Sequence, residues 1–152
     1  MNIQNSIYAQ KAMALFKEGY NCSQAVFLAF ADKYDMDANT AAKLSSSFGG
    51  GLGRMREVCG CVSGMAMVAG MLYGYASPTD HEAKTAHYKC IQELAHKFSE
   101  INGSIICKDL LGLTNNNITH VPEKRTDEYY KKRPCGELVG IAAAILEEYI
   151  GE

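Results

Sequence analysis

The stretch that decides the fold is "FGGGLGRMREVCGCVSGMAMVAGMLYG", residues 48–74. Four glycines in its first six residues break any regular structure. Two cysteines follow, Cys59 and Cys61. From about Cys59 to Gly74 the side chains are apolar on almost every side of a helix, which is the signature of a central helix. Gly60, Gly64, Ala66, Ala69 and Gly70 are interspersed among larger Val, Met and Leu residues, so neighbouring helices can approach closely. The apolar run from Cys61 to Tyr75 is shorter than the roughly 20 residues a bilayer requires. It therefore reads as core, and no membrane span is expected.

Working outward, the flanking segments are also helical. Ile3, Ile7, Ala14 and Leu15 recur at helical spacing over 3–18, and Gly19 ends that helix. Asn21 caps the next one, "CSQAVFLAFADKY" (22–34), with Gln24 placed for a capping box. Asp37 caps a third over 38–48. Ser77-Pro78 reads as a cap with proline at the first helical position. The helix it opens runs to about Glu100, with Ala83, His87, Cys90, Ile91, Leu94 and Phe98 on one stripe. A short helix spans 107–111, and 112–128 reads as loop, with "TNNNITH" (114–120) its least ordered-looking part. Pro134 opens the last helix. No window alternates with period two. The expectation is an all-α chain, a single domain over 1–152. It forms a compact bundle of about six or seven helices around the helix from Cys59 to Gly74.

The chain has 152 residues and six cysteines, at 22, 59, 61, 90, 107 and 135. This length buries a core without disulfide staples, and the cysteines are too dispersed for a small secreted scaffold. The N-terminus has no basic region followed by an apolar run, so no secretory signal is expected. A cytoplasmic protein with mainly reduced thiols follows as the expectation. The formal net charge is −2, and the basic residues form no stripe, which argues against nucleic-acid binding. Lys124-Arg125 and Lys131-Lys132-Arg133 are interleaved with acids and read as solvated surface.

The glycine loop is not a phosphate cradle of known type. A P-loop needs lysine and a hydroxyl after its last glycine. A dinucleotide fingerprint needs a surrounding βαβ unit. Gly49, Gly50, Gly51 and Gly53 read either as a turn needing positive φ or, more sharply, as a loop that lets backbone N–H groups approach an anionic sulfur centre.

Four cysteines fall at expected helix N-termini. They are Cys22 after Asn21, Cys59 before the apolar helix, Cys107 at the short helix and Cys135 after Pro134. The helix dipole there favours thiolate and raises reactivity or metal affinity. Lys131 to Arg133 would act on Cys135 in the same sense. Cys90 reads as a small buried hydrophobe. Cys61, two residues after Cys59, would point about 200° away from it on a continuous helix, placing it at the margin of any shared site. There is no C-x-x-C, no haem-attachment motif and no ferredoxin run.

Four stretches taken together, "GYNCSQAVF" (19–27), "FGGGLGRMREVCGCVSGMAM" (48–67), "SIICKDLLGL" (104–113) and "RPCGELVGIAAAILEEYI" (133–150), resemble the family named for its cysteine pattern, C_GCAxxG_C_C. The resemblance implies a redox-active protein with four hallmark cysteines, here Cys22, Cys59, Cys107 and Cys135, and a C-G-A-x-x-G signature at Cys59 to Gly64. The signature's alanine is replaced by Cys61.

Three functional readings are compatible with these residues. One is thiol/disulfide electron transfer by the four cysteines, a thiol-based oxidoreductase acting on a redox partner protein or small molecule. A second is a Cys₄ metal centre, zinc or an iron–sulfur cluster, with Cys61 as auxiliary thiol. The third is a helical binding module with structural cysteines. A homo-oligomer is compatible with each.

Overall fold

The computed structural model describes residues 2–113, 118–132 and 134–151, without the side chain of Lys132. Its regular structure is helical: α1 (Ile7–Glu18), α2 (Cys22–Ala29), α3 (Ala38–Ser46), α4 (Gly60–Tyr73), α5 (His81–Asn102), α6 (Cys107–Leu110), α7 (Asp127–Lys132) and α8 (Cys135–Gly151). Among the described residues the only β-type pairing is one antiparallel bridge between Val58 and Ile106. The chain is all-α, as its periodicity implies.

Local chemistry sets the ends. Asn21 and Gln24 form the capping box at α2, with Gln24 N–H donating to Asn21 Oδ1 at 2.9 Å and Asn21 N–H to Gln24 Oε1 at 3.1 Å. Gly19 terminates α1 at φ 115°. Three boundaries depart from the sequence reading. The first helix starts at Ile7, because Ser6 accepts from Ala9 N–H at 3.0 Å and so caps the helix. Residues Ile3–Asn5 form a separate 3₁₀ turn. The second helix stops at Ala29 instead of running to 34. Tyr34 folds back, stacks on Phe27 at 4.6 Å and donates to the Phe27 carbonyl at 2.8 Å. At α5 the cap is Asp80, accepting from Ala83 N–H at 3.0 Å, and Ser77-Pro78 stays outside in a turn.

Helix α7 is an addition to the sequence reading, which ran the loop to 128. Thr126 Oγ1 accepts from Tyr129 N–H at 3.2 Å. Tyr130 then meets Phe16 edge-on at 6.1 Å. Tertiary contact from two tyrosines holds a segment whose charged composition gives little helical signal. Residues 114–117 of "TNNNITH" lie outside the described residues.

Two close contacts order the centre. Helix α4 lies against α2, where a side chain at Gly60 or Gly64 would not fit. A Cβ at Gly64 would come 2.8 Å from Val26 Cβ and 3.0 Å from the Ser23 carbonyl. Helix α8 packs on α1, α2, α4 and α5. It is buried without interruption from Leu138 to Leu146, so it shares the centre with α4. Cys90 is buried in this core. Among the described residues no helix is long and apolar enough to cross a membrane.

Candidate functional site

The N-terminal ends of α2, α4, α6 and α8 meet at one cavity of about 290 Å³. Cys22, Cys107 and Cys135 are the first residues of α2, α6 and α8, and Cys59 is the residue before α4. All four line the cavity. Cys59 and Cys107 are 5% and 7% exposed, and Cys61 and Cys90 are 0% and 7%. Cys22 and Cys135 are half-buried residues that line the cavity. All six cysteines are unbridged.

Backbone packing brings the sulfurs together. A Cβ on Gly60 would sit 3.2 Å from Cys22 Cβ and 3.0 Å from the Phe48 carbonyl and Ser23 nitrogen. Only glycine lets the start of α4 abut the start of α2. Cys59 N–H donates to the Ile105 carbonyl at 2.7 Å, and Cys107 N–H to the Glu57 carbonyl at 2.6 Å. These bonds flank the Val58–Ile106 bridge and tie Cys59 to Cys107 through main chain.

The four glycines at 49, 50, 51 and 53 also line the cavity. Five consecutive residues, Gly50, Gly51, Leu52, Gly53 and Arg54, have left-handed φ of 55–71°, and Arg56 joins them at 62°. A non-glycine residue in that region costs about 1–2 kcal/mol, so Leu52, Arg54 and Arg56 hold strain that the surroundings must over-determine. Arg56 N–H donates to the Gly50 carbonyl at 3.0 Å and Glu57 N–H to that of Gly51 at 2.9 Å. The turn is thereby clamped beside Cys107. A Cβ on Gly51 would lie 2.7 Å from Cys107 Cβ and 2.6 Å from Glu57 N.

Electrostatics separates the thiols. Hydrogen bonds from Cys135 and Cys61 hold Cys22 well below the ordinary thiol range. The Arg125 charge and the Cys22 backbone N–H add to this, against the effect of burial. Cys135 is pushed up, chiefly because it donates to Cys22. Burial pushes Cys61 well up, and its bonds to Cys22 and Cys59 push further. Burial also raises Cys107, opposed by the Arg56 guanidinium, whose Nη1 donates to Cys107 Sγ at 3.6 Å. Cys22, held down, and Cys135, pushed up, form a polarised pair that shares the cavity.

Cys61 requires a correction. The 200° separation assumed that Cys59 and Cys61 both lie in the helix, but Cys59 is the cap, with ψ 134°. Cys61 therefore turns into the core beneath the cavity, within hydrogen-bonding reach of both Cys22 and Cys59. It is no marginal residue.

Residues that the sequence reading passed over are the cations. Arg54, Arg56 and Arg125 all line the cavity. Arg125, assigned to a solvated face, instead lies over the Phe16 ring, 4.0 Å from its centroid. Its Nη2 donates to the Tyr20 carbonyl at 2.7 Å and its Nη1 to that of Phe16. Of the basic run expected to act on Cys135, Arg133 lies outside the described residues. Lys131 is exposed and is not among the residues that influence Cys135.

Among the described residues, no three Cys, His, Asp or Glu side chains are gathered as ligands for one metal ion.

A family model described as "Putative redox-active protein (C_GCAxxG_C_C)" matches residues 20–149. No curated protein and no solved structure gives a match.

Proposed function

The chain belongs to the C_GCAxxG_C_C family of redox-active proteins, and on that premise we propose that it is a thiol/disulfide electron-transfer protein whose working pair is Cys22 and Cys135. The observation that carries this reading is the polarised pair itself. Cys22 is favoured as thiolate by hydrogen bonds from Cys135 and Cys61, and both Cys22 and Cys135 have access to the cavity. A thiolate is the species that attacks a disulfide.

Cys22 would take a disulfide sulfur and form a mixed disulfide. Cys135, its proton released, would then attack Cys22 and expel the second thiol. Two electrons and the Cys135 proton leave the protein pair, solvent supplies the proton of the other released thiol, and a Cys22–Cys135 disulfide remains. Cys59 and Cys107, joined through the Val58–Ile106 bridge, would form a second couple. Cys61 would sit between the couples as the auxiliary thiol. Gly49, Gly50, Gly51 and Gly53 would shape the backbone around the sulfurs. A reducing cytoplasm suits such a protein, because it can restore the dithiol.

The test is controlled oxidation of prereduced protein followed by mass mapping. Loss of two thiols, recovered as a Cys22–Cys135 bridge and reversed by a dithiol reductant, is expected. Cys22→Ser should slow exchange by about 100-fold or more, because a hydroxyl is a far weaker nucleophile than a thiolate. Identical free-thiol counts under reductant and mild oxidant would sink the reading. Stoichiometric zinc, or iron with sulfide, in anaerobically purified protein with these thiols blocked would replace it by the metal-centre alternative.

A further inference from the structure

The charges around the cavity do not balance. Three guanidinium-bearing residues line it, Arg54, Arg56 and Arg125, against a single carboxylate, Glu123. This surplus stands in a chain whose formal net charge is −2. Glu123 accompanies Arg54 at 3.9 Å. Among the described residues, neither Arg56 nor Arg125 forms an ion pair with an acid. Arg56 donates to Cys107 Sγ. Arg125 donates to two main-chain carbonyls with Phe16 beneath it.

Carbonyls fix the position of a guanidinium without cancelling its charge. A half-buried, immobilised arginine with donors to spare is a receptor for a carboxylate, which it can bind in a two-pronged geometry. The placement is also directional. Arg125 acts on Cys22 and Arg56 donates to Cys107 Sγ, so the two cations address different thiols. The Cys22 thiolate offsets one positive charge in the reduced protein, and once it is bridged to Cys135 that offset is lost. The surplus therefore favours an anionic occupant in both redox states. The volume of about 290 Å³ lies at the lower end of small-molecule sites, which suits a low-molecular-weight compound.

We infer that the cavity takes a small disulfide carrying carboxylates, held by Arg125 and Arg56 so that one of its sulfurs faces Cys22. This rests on the thiol/disulfide reading above. The step balances as written there. The substrate S–S bond breaks, the Cys22–Cys135 bond forms, and two carboxylate-bearing thiols leave, one with the Cys135 proton and one with a proton from solvent. A single turnover needs no other reductant, and repeated turnover needs a dithiol.

The experiment offers prereduced protein three disulfides of similar size and different charge, under single-turnover conditions at low salt. They are 3,3′-dithiodipropionate (a dianion), bis(2-hydroxyethyl) disulfide (neutral) and cystamine (a dication). The expected result is a second-order rate about tenfold higher for the dianion than for the neutral compound, with the dication slowest. This is the size of one charge-assisted contact. Arg125→Met and, separately, Arg56→Met should bring the dianion-to-neutral ratio towards one. The ratio cancels any change in Cys22 basicity, which affects all three disulfides alike. Added salt should lower the ratio as well. Equal rates on all three compounds would overturn the inference and leave thiol/disulfide exchange standing. No reaction with any of them, by protein of verified thiol content, would overturn exchange itself and this inference with it. If Arg125→Met fails to fold, Arg56→Met and the wild-type charge series still decide the matter.

Discussion

Glycine serves two ends of this molecule for opposite reasons. In the turn at 50–54 the glycines have left-handed φ, and what matters is the conformation they permit. In α4 the backbone is ordinary helix, and Gly60 and Gly64 matter because a Cβ would strike α2. The first region lies beside the sulfurs, is clamped by the Arg56–Gly50 and Glu57–Gly51 main-chain hydrogen bonds and holds strain in Leu52, Arg54 and Arg56. The second is packed core. Reactivity and stability therefore rest on different residues, and substitutions can separate them.

The largest expected effect on stability is at Gly64. A single methyl there already meets Val26 Cβ at 2.8 Å and the Ser23 carbonyl at 3.0 Å, and carbonyls of a helix do not yield. Gly64→Leu should cost about 3 kcal/mol or more, at the upper end of overpacking. That lowers the melting temperature by roughly 6–12 °C for a chain of this size. Cys22 alkylation in whatever fraction remains folded should change little. A wild-type melting temperature would show that α2 and α4 are not pressed together at this point, and the contrast between the regions would fail.

A paired substitution tests the turn. Gly51 and Gly53 have similar φ, 71° and 55°, so alanine at either carries the same left-handed cost of about 1–2 kcal/mol. Their surroundings differ. A Cβ at Gly53 meets nothing within 4 Å, whereas at Gly51 it meets Glu57 N at 2.6 Å and Cys107 Cβ at 2.7 Å. Gly53→Ala should therefore lose only the conformational term. Gly51→Ala should lose more and should also alter Cys107 alkylation, because Cys107 must shift. Equal melting temperatures and equal Cys107 reactivity in the two variants would mean that the turn does not position the sulfur.

Much of this was legible in the sequence, and the illegible parts share a cause. The four helix-start cysteines could be read because caps and breakers are local: Asn21 with Gln24, the glycines before Cys59, and Pro134. The all-round apolar character of α4 is local too. Arg125 was not legible. Its partners Phe16 and Tyr20 lie more than a hundred residues away in sequence, and nothing within the 123–133 run marks that arginine as different from its neighbours. The left-handed Leu52, Arg54 and Arg56 were hidden for a related reason. No propensity places a leucine or arginine there, and only the surrounding bonds hold them. Cys61 was misplaced because one residue, the cap at Cys59, was taken as helical.

The smallest expected effect joins the two regions at Cys61, which belongs to the core by burial and to the sulfurs by contact. Cys61 supports the Cys22 thiolate as the second donor after Cys135. Cys61→Ala, which restores the family's signature alanine, should move the inflection of Cys22 alkylation against pH upward without taking it to the ordinary thiol value, because Cys135 still donates. The stability profile should also flatten at alkaline pH. Cys61 is held well above the ordinary value of 9.0, so above about pH 9 it keeps its proton in the folded protein and loses it in the unfolded chain. The folded state then binds more protons, and stability falls as pH rises. Cys22 has the opposite sign. Its folded value is depressed, so its contribution is present above the unfolded value and is lost as pH falls through the folded one. Wild type should thus lose stability above about pH 9 through Cys61, Cys135 and Cys107 together, and Cys61→Ala should lose it less steeply. Urea titrations of both proteins at pH 7 and pH 10 measure the difference directly. Parallel losses in the two proteins, with an unmoved Cys22 inflection, would make Cys61 a core filler and return the sulfur group to four members.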